Sequence, residues 1–135
     1  MMKPVFKALL LIATPFLLVS CSAQKKFANR LRGAWQITKY DVNDTRVSAR
    51  EFTNLGMITF NKNHTGTVDM KNIFTGSSSS GPRPFEWSNT ENSVTIRGDN
   101  SEITKAWIVV TNKKKVQLWK STDGYNRIQE IELRR

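Results

Sequence analysis

The chain is 135 residues long, with 21 basic and 11 acidic side chains and a formal net charge of +10. That length leaves room for one compact domain, and the basic excess suits an anionic partner or surface. The single cysteine, Cys21, excludes an internal disulfide framework.

The first twenty residues read as a leader. Lys3 and Lys7 accompany "ALLLIATPFLLVS", Ala8 to Ser20, an apolar run too short to cross a bilayer as a helix and broken by Pro15. It runs into Leu18-Val19-Ser20-Cys21, which resembles the lipobox of bacterial lipoprotein precursors. The resemblance implies a signal spanning 1–20, cleavage before Cys21, and acylation of Cys21 on its sulfur and amino group. Two or three acyl chains make such an anchor effectively permanent, at about 0.8 kcal/mol per buried methylene. The alternatives are an ordinary export signal with a chance cysteine, which leaves an odd free thiol, and a weak membrane anchor. Without the leader, 115 residues remain, with 19 basic and 11 acidic side chains and a net charge of +8. In a cell envelope this excess points to lipid headgroups or lipopolysaccharide and away from nucleic acid. By resemblance to lipoprotein sorting rules, Ser22 and the lack of an acidic cluster imply the outer membrane, periplasm-facing leaflet.

Residues 21–30 read as a tether that becomes a single helical turn around Phe27 to Leu31. From 31 to 135 nearly every segment alternates with period two, and turn residues recur at short intervals. Eight strands are expected: "AWQITKYD" with Trp35 and Ile37 on one face, "LGMITFN" with Ile58 and Phe60, "TGTVDM" with Val68 and Met70, "RPFEWS" with Phe85 and Trp87, "NSVTIRG" with Val94 and Ile96, "EITKAWIVVTN", "KVQLWKS" with Val116 and Leu118, and "RIQEIELRR" with Ile131 and Leu133. A meander of this kind removes its edges by closing into an eight-stranded antiparallel up-and-down barrel. An open two-sheet sandwich is the alternative.

Alternate connections of a meander fall at opposite ends. "KNH", "NTEN" and "NKKK" are short and share one end. "VNDTRVSAREFT" and "KNIFTGSSSSGP" are each about a dozen residues and share the other, where long loops suggest function. The pattern is that of a cup with a laced base and an open mouth. Lys25, Lys26, Arg30, Arg32, Lys62, Lys113, Lys114, Lys115, Arg134 and Arg135 all fall at or near the base, so the base is expected to face an anionic membrane.

Gly33-Ala34-Trp35 at the head of the first strand, after a helical turn, resembles the G-x-W signature of lipocalins. With "MITFNKNHTGTV", "FEWSNTENSVTI" and a basic residue ending the last strand, the chain resembles small lipocalin-like lipoproteins of the Bacteroides group. The resemblance implies that Gly33 and Trp35 close the barrel base, with Arg135 (Arg134 as alternate) packed on the tryptophan. It also implies a small hydrophobic or amphiphilic ligand in the cup. Candidate lining residues are Ile37, Ile58, Phe60, Phe85, Trp87 and Ile96 inside, with Arg46, Arg50, Phe52, Phe74 and Tyr125 at the mouth. The same inward set equally suits a filled core, since eight strands leave room for side chains or one small ligand. The second functional reading is therefore a filled interaction module that binds an envelope protein.

Catalysis finds no candidates. His64, the only histidine, sits in a tight turn without a carboxylate close in sequence, and the chain offers no cysteine nucleophile, paired-acid motif, metal-ligand spacing or phosphate loop. The expectation is a monomer that is not an enzyme, with neither cofactor nor metal.

Overall fold

The computed structural model describes residues 21–44, 47–72, 81–122 and 127–135. The expected leader 1–20 and the mouth candidates Arg46, Phe74 and Tyr125 lie outside the described residues. Eight strands run in order: β1 (Gly33–Asp44), β2 (Val47–Phe60), β3 (Thr65–Met70), β4 (Arg83–Asn89), β5 (Ser93–Gly98), β6 (Ala106–Asn112), β7 (Val116–Thr122) and β8 (Arg127–Arg134). Each pairs with its neighbour in sequence, and β8 returns to β1, so the sheet is a closed antiparallel barrel. Closure leaves no edge for other chains to pair with.

The structure departs from the sequence expectations at four places. The segment "VNDTRVSAREFT" is not a loop. β1 extends to Asp44 and β2 begins at Val47, and Asp44 pairs with Val47. Register shifts fall between Ile37 and Lys39 and between Val42 and Asp44. Each shift breaks the period of two, so a continuous hairpin reads as irregular chain. Gly56 carries φ +143, and a Cβ there would fall on the Asp69 carbonyl of β3. Only glycine allows the two backbones to approach so closely.

Residues 21–30, expected as a tether with a single turn from Phe27, belong instead to an eleven-residue helix, α1, covering 21–31. Its spacing explains this. Gln24, Phe27, Ala28 and Leu31 share one face at intervals of three and four. Phe27, Ala28 and Leu31 are buried against the barrel, while the Gln24 amide donates to the Asn89 carbonyl at 2.8 Å. Among the described residues, α1 thus contributes Phe27, Ala28 and Leu31 to the same core cluster as the barrel strands.

In β7 the inward phase is opposite to the expected one. Gln117, Trp119 and Ser121 are buried, whereas Val116 and Leu118 are half-buried on the outer wall. The Trp119 ring joins the aromatic axis against Phe60 and Trp107, and Gln117 is tolerated inside because its polar atoms are bonded. The amide nitrogen donates to Asn112 Oδ1 at 2.8 Å, and Gln117 Oε1 accepts the Trp119 indole N–H at 3.1 Å. Finally, β6 starts at Ala106 rather than Glu102. Residues 99–105 turn inward, and Ile103 is fully buried.

Aromatic rings fill the axis. Phe60 meets Phe85, Trp87 and Trp119 edge-on at 5.5, 5.4 and 6.0 Å between centroids. Trp107 continues the chain to Trp119 at 6.5 Å and to Tyr40 at 6.3 Å. All four indole N–H groups are satisfied: Trp35 by the Leu31 carbonyl, Trp87 by Thr65, Trp107 by Ile103 and Trp119 by Gln117. Buried indoles need such partners, because an unmade hydrogen bond costs about 1–3 kcal/mol.

Candidate functional site

The antiparallel register sorts the inward side chains of β2, β1, β8 and β7 into rows, since directly paired residues share a face. Near the base, Ile37 pairs with Gly56 and Leu133, and Leu133 pairs with Gln117. The next row is Phe52, Tyr40, Ile131 and Trp119. The row nearest the mouth is Arg50, Val42, Gln129 and Ser121. The barrel is thus apolar in its middle and polar at one end.

The base is closed by side chains from the first and last strands. Gly33 has φ +105, which an L side chain adopts only under strain, and it leaves space for the Arg135 guanidinium at 3.2 Å from the missing Cβ. Arg135 Cζ stands 3.9 Å from the Trp35 ring centre. Its Nη1 donates to the Arg32 carbonyl at 2.8 Å, and its Nη2 to the Arg30 carbonyl. The guanidinium therefore stacks on the indole and satisfies carbonyls at the carboxyl end of α1. Arg134 points outward and pairs with Glu132 at 2.7 Å.

Toward the mouth, the 99–105 turn acts as a plug. Ile103 enters the core, and the Tyr40 hydroxyl donates to the Glu102 carbonyl at 2.9 Å. Burial, and next the charge of Glu102, push the Tyr40 phenol well above the usual tyrosine range. Above this level lies the polar row. Ser121 donates to the Ala106 carbonyl at 2.7 Å. Gln129 is only 5% exposed, yet its Oε1 has no hydrogen-bond partner among the described residues. The contrast with the fully bonded Gln117 is physical: a buried carbonyl oxygen without a donor retains its desolvation cost.

The sequence-derived lining candidates therefore separate. Ile37, Ile58, Phe60, Phe85, Trp87 and Ile96 come together, but in one packed core with each at most 4% exposed. Arg50 is exposed on β2 in the inward row, and Phe52 is half-buried one row below it. Cys21 is exposed at the start of α1. Sequence reasoning missed Tyr40, Trp107, Trp119 and Gln129. Gln129 shares its phase with Ile131 and Leu133, a signal that was available but masked by its polarity.

Two grooves open on the surface. One, of about 310 Å³, is lined by Asp41, Val42, Asn43, Arg50, Glu51, Lys120, Ile128 and Glu130. Here Lys39 lies 3.7 Å from Asp41 and 3.6 Å from Glu51, and Lys120 lies 3.5 Å from Glu130. Burial raises the Asp41 carboxyl above its ordinary value, against the opposing pull of Lys39. The other, of about 190 Å³, joins His64, Glu86, Trp87 and Arg97, with the His64 ring 4.7 Å from that of Trp87. Folding brings Glu86 and Arg97 beside the histidine, which sequence distance had concealed. Among the described residues no three His, Cys, Asp or Glu side chains stand close enough to hold a metal ion.

The sequence profile of the lipocalin-like domain family matches residues 31–118, and the chain belongs to that family. A solved redesigned beta barrel is similar over 80% of this chain and 93% of its own, at 15% identity and a TM-score of 0.44. No curated protein matches.

Proposed function

We propose that this protein is a lipid-anchored envelope lipoprotein whose lipocalin-like barrel takes a small amphiphilic ligand at its mouth row. The lower barrel is structural. The observation that carries this reading is Gln129, buried with an acceptor oxygen that no group among the described residues satisfies. Its neighbours in the row offer complementary chemistry. Ser121 and Val42 flank it, and Arg50 stands exposed beyond Val42. A ligand head with a hydroxyl or amide donor would meet Gln129 Oε1, and an anionic oxygen on the same head would meet the Arg50 guanidinium. The apolar portion would rest on Val42 and Phe52. The signal-like run 1–20 and the lipobox-like Leu18 to Cys21 support anchoring through Cys21 in the outer membrane.

Native mass spectrometry of the domain purified from its own host tests the ligand. A retained small molecule is expected in the parent and lost in Gln129→Leu, with the fold unchanged by circular dichroism. A parent that carries nothing, or a variant that retains the molecule equally, overturns the ligand reading. Mass spectrometry of the Cys21 peptide tests the anchor separately.

The second reading, a filled module that binds an envelope protein, is favoured by a different observation. Ile108 and Val110 on β6 are 65% and 53% exposed on the outer wall. Cross-linking from position 108 in the native envelope, followed by identification of a single partner, distinguishes it from the ligand reading.

A further inference from the structure

We infer that the closed base of the barrel is a docking face for an anionic lipid bilayer, independent of any acyl chain. The inference rests on the envelope reading only in choosing lipid over nucleic acid. Segments that meet at this end are α1 with Arg32 (21–32), the β2–β3 turn (61–64), the β4–β5 turn (90–92) and the β6–β7 turn (113–115). Together they contain Lys25, Lys26, Arg30, Arg32, Lys62 and the run Lys113 to Lys115, against one acid, Glu91.

Tertiary bonds hold these segments in one surface. Gln24 joins α1 to Asn89 beside the β4–β5 turn, and Arg30 joins it to the Asn112 carbonyl beside the β6–β7 turn at 2.9 Å. Arg135 ties the carboxyl end of α1 to the same β6–β7 turn, its Nε donating to the Lys114 carbonyl at 3.3 Å. The helix thus lies across the base with Phe27, Ala28 and Leu31 turned into the barrel. At about 3.6 residues per turn, Ser22, Lys26 and Asn29 then project on the far side, away from the core. Lys25, Lys26, Lys62 and Lys113 to Lys115 are all exposed, and none forms an ion pair among the described residues.

The contrast with the wall is what selects a surface. On the wall, Lys39 and Lys120 are neutralised by Asp41, Glu51 and Glu130. At the base the cations have no such partners, and within a Debye length of about 8–10 Å they act together. A broad face of exposed cations matches a plane of headgroups, and Cys21 opens at the same end. Docked this way, the barrel directs its mouth row away from the bilayer.

Co-sedimentation of the 21–135 polypeptide carrying Cys21→Ser provides the test, using vesicles of phosphatidylcholine with and without phosphatidylglycerol. Binding is expected only to the anionic vesicles, and added salt should release it. Each base cation is worth roughly fivefold in partitioning. Lys25→Gln with Lys26→Gln should therefore cost about 25-fold, and glutamine at 113, 114 and 115 about a hundredfold. Lys39→Gln with Lys120→Gln removes as much net charge as the helix pair but should leave binding within about twofold. A parent that ignores anionic vesicles while binding a DNA duplex overturns the inference. So does an equal loss in the wall variant, which would reduce the effect to net charge. Because no acyl chain is present, these outcomes are independent of whether Cys21 is modified.

Discussion

The Arg135 guanidinium lies over the Trp35 indole, Cζ to ring centre 3.9 Å, and joins the last strand to the first at the point where α1 ends. Stacking on an indole contributes about 0.5–1 kcal/mol where solvent has access. Each hydrogen bond to the carbonyls of Arg30 and Arg32 adds about 0.5–1.5 kcal/mol. Arg135→Ala is therefore expected to lower stability by about 1.5–4 kcal/mol in urea unfolding. Arg135→Lys should recover little, because an ammonium cannot stack flat and bond two carbonyls at once. Equal stability of parent and alanine variant would refute this role.

Phe27 tests whether α1 belongs to the fold. Its ring is 2% exposed against the barrel base. Truncation of a buried phenylalanine costs about 3–5 kcal/mol. In Phe27→Ala the amide protons of α1 should exchange much faster than those of β1. If protection of residues 27–31 is unchanged, the helix is held by something other than this contact.

Tyr40 predicts an alkaline limit. Its folded pKa is raised, chiefly by burial, above the unfolded value of about 10. A raised value means that the neutral phenol is favoured in the folded state. Its contribution is complete below about pH 10 and is lost as pH rises toward the folded value. Tyr40→Phe should cost about 0.5–1.5 kcal/mol at neutral pH, through the lost bond to Glu102. That deficit should shrink above pH 10. A deficit independent of pH would contradict it.

Gln117 holds the Trp119 indole from inside the barrel. Gln117→Leu keeps the volume but strips the indole of its acceptor and the Asn112 side chain of its donor. The expected loss is about 1–3 kcal/mol. The double variant Gln117→Leu, Trp119→Phe should be less damaging than the sum of its parts, since Phe needs no acceptor. Strict additivity in thermal unfolding would show that the two side chains do not act as a pair.

Much of the fold was legible because a meander writes its period into the chain. Alternation at Val68 and Met70, Phe85 and Trp87, Val94 and Ile96 follows directly from strand geometry, and short turns fix neighbours as antiparallel partners. The β1–β2 hairpin escaped because two register shifts interrupt that period. β7 was read in the wrong phase because alternation alone cannot rank Val116 and Leu118 against Trp119 when the competing face carries a glutamine. The candidate site was less legible still. Arg50 and Gln129 lie 79 positions apart and share a row only through β1 between them.

What the sequence determined by itself is therefore local: eight strands, their order, and a basic excess concentrated in the helix and the short turns. What only the tertiary structure decided is which polar groups end up without water and whether they find partners. Gln117 and Gln129 are the same residue type at inward positions on adjacent strands. Packing bonds both polar atoms of one and, among the described residues, leaves the other an oxygen without a donor. Hydrogen-bond satisfaction depends on atoms far apart in the chain, so no local pattern encodes it.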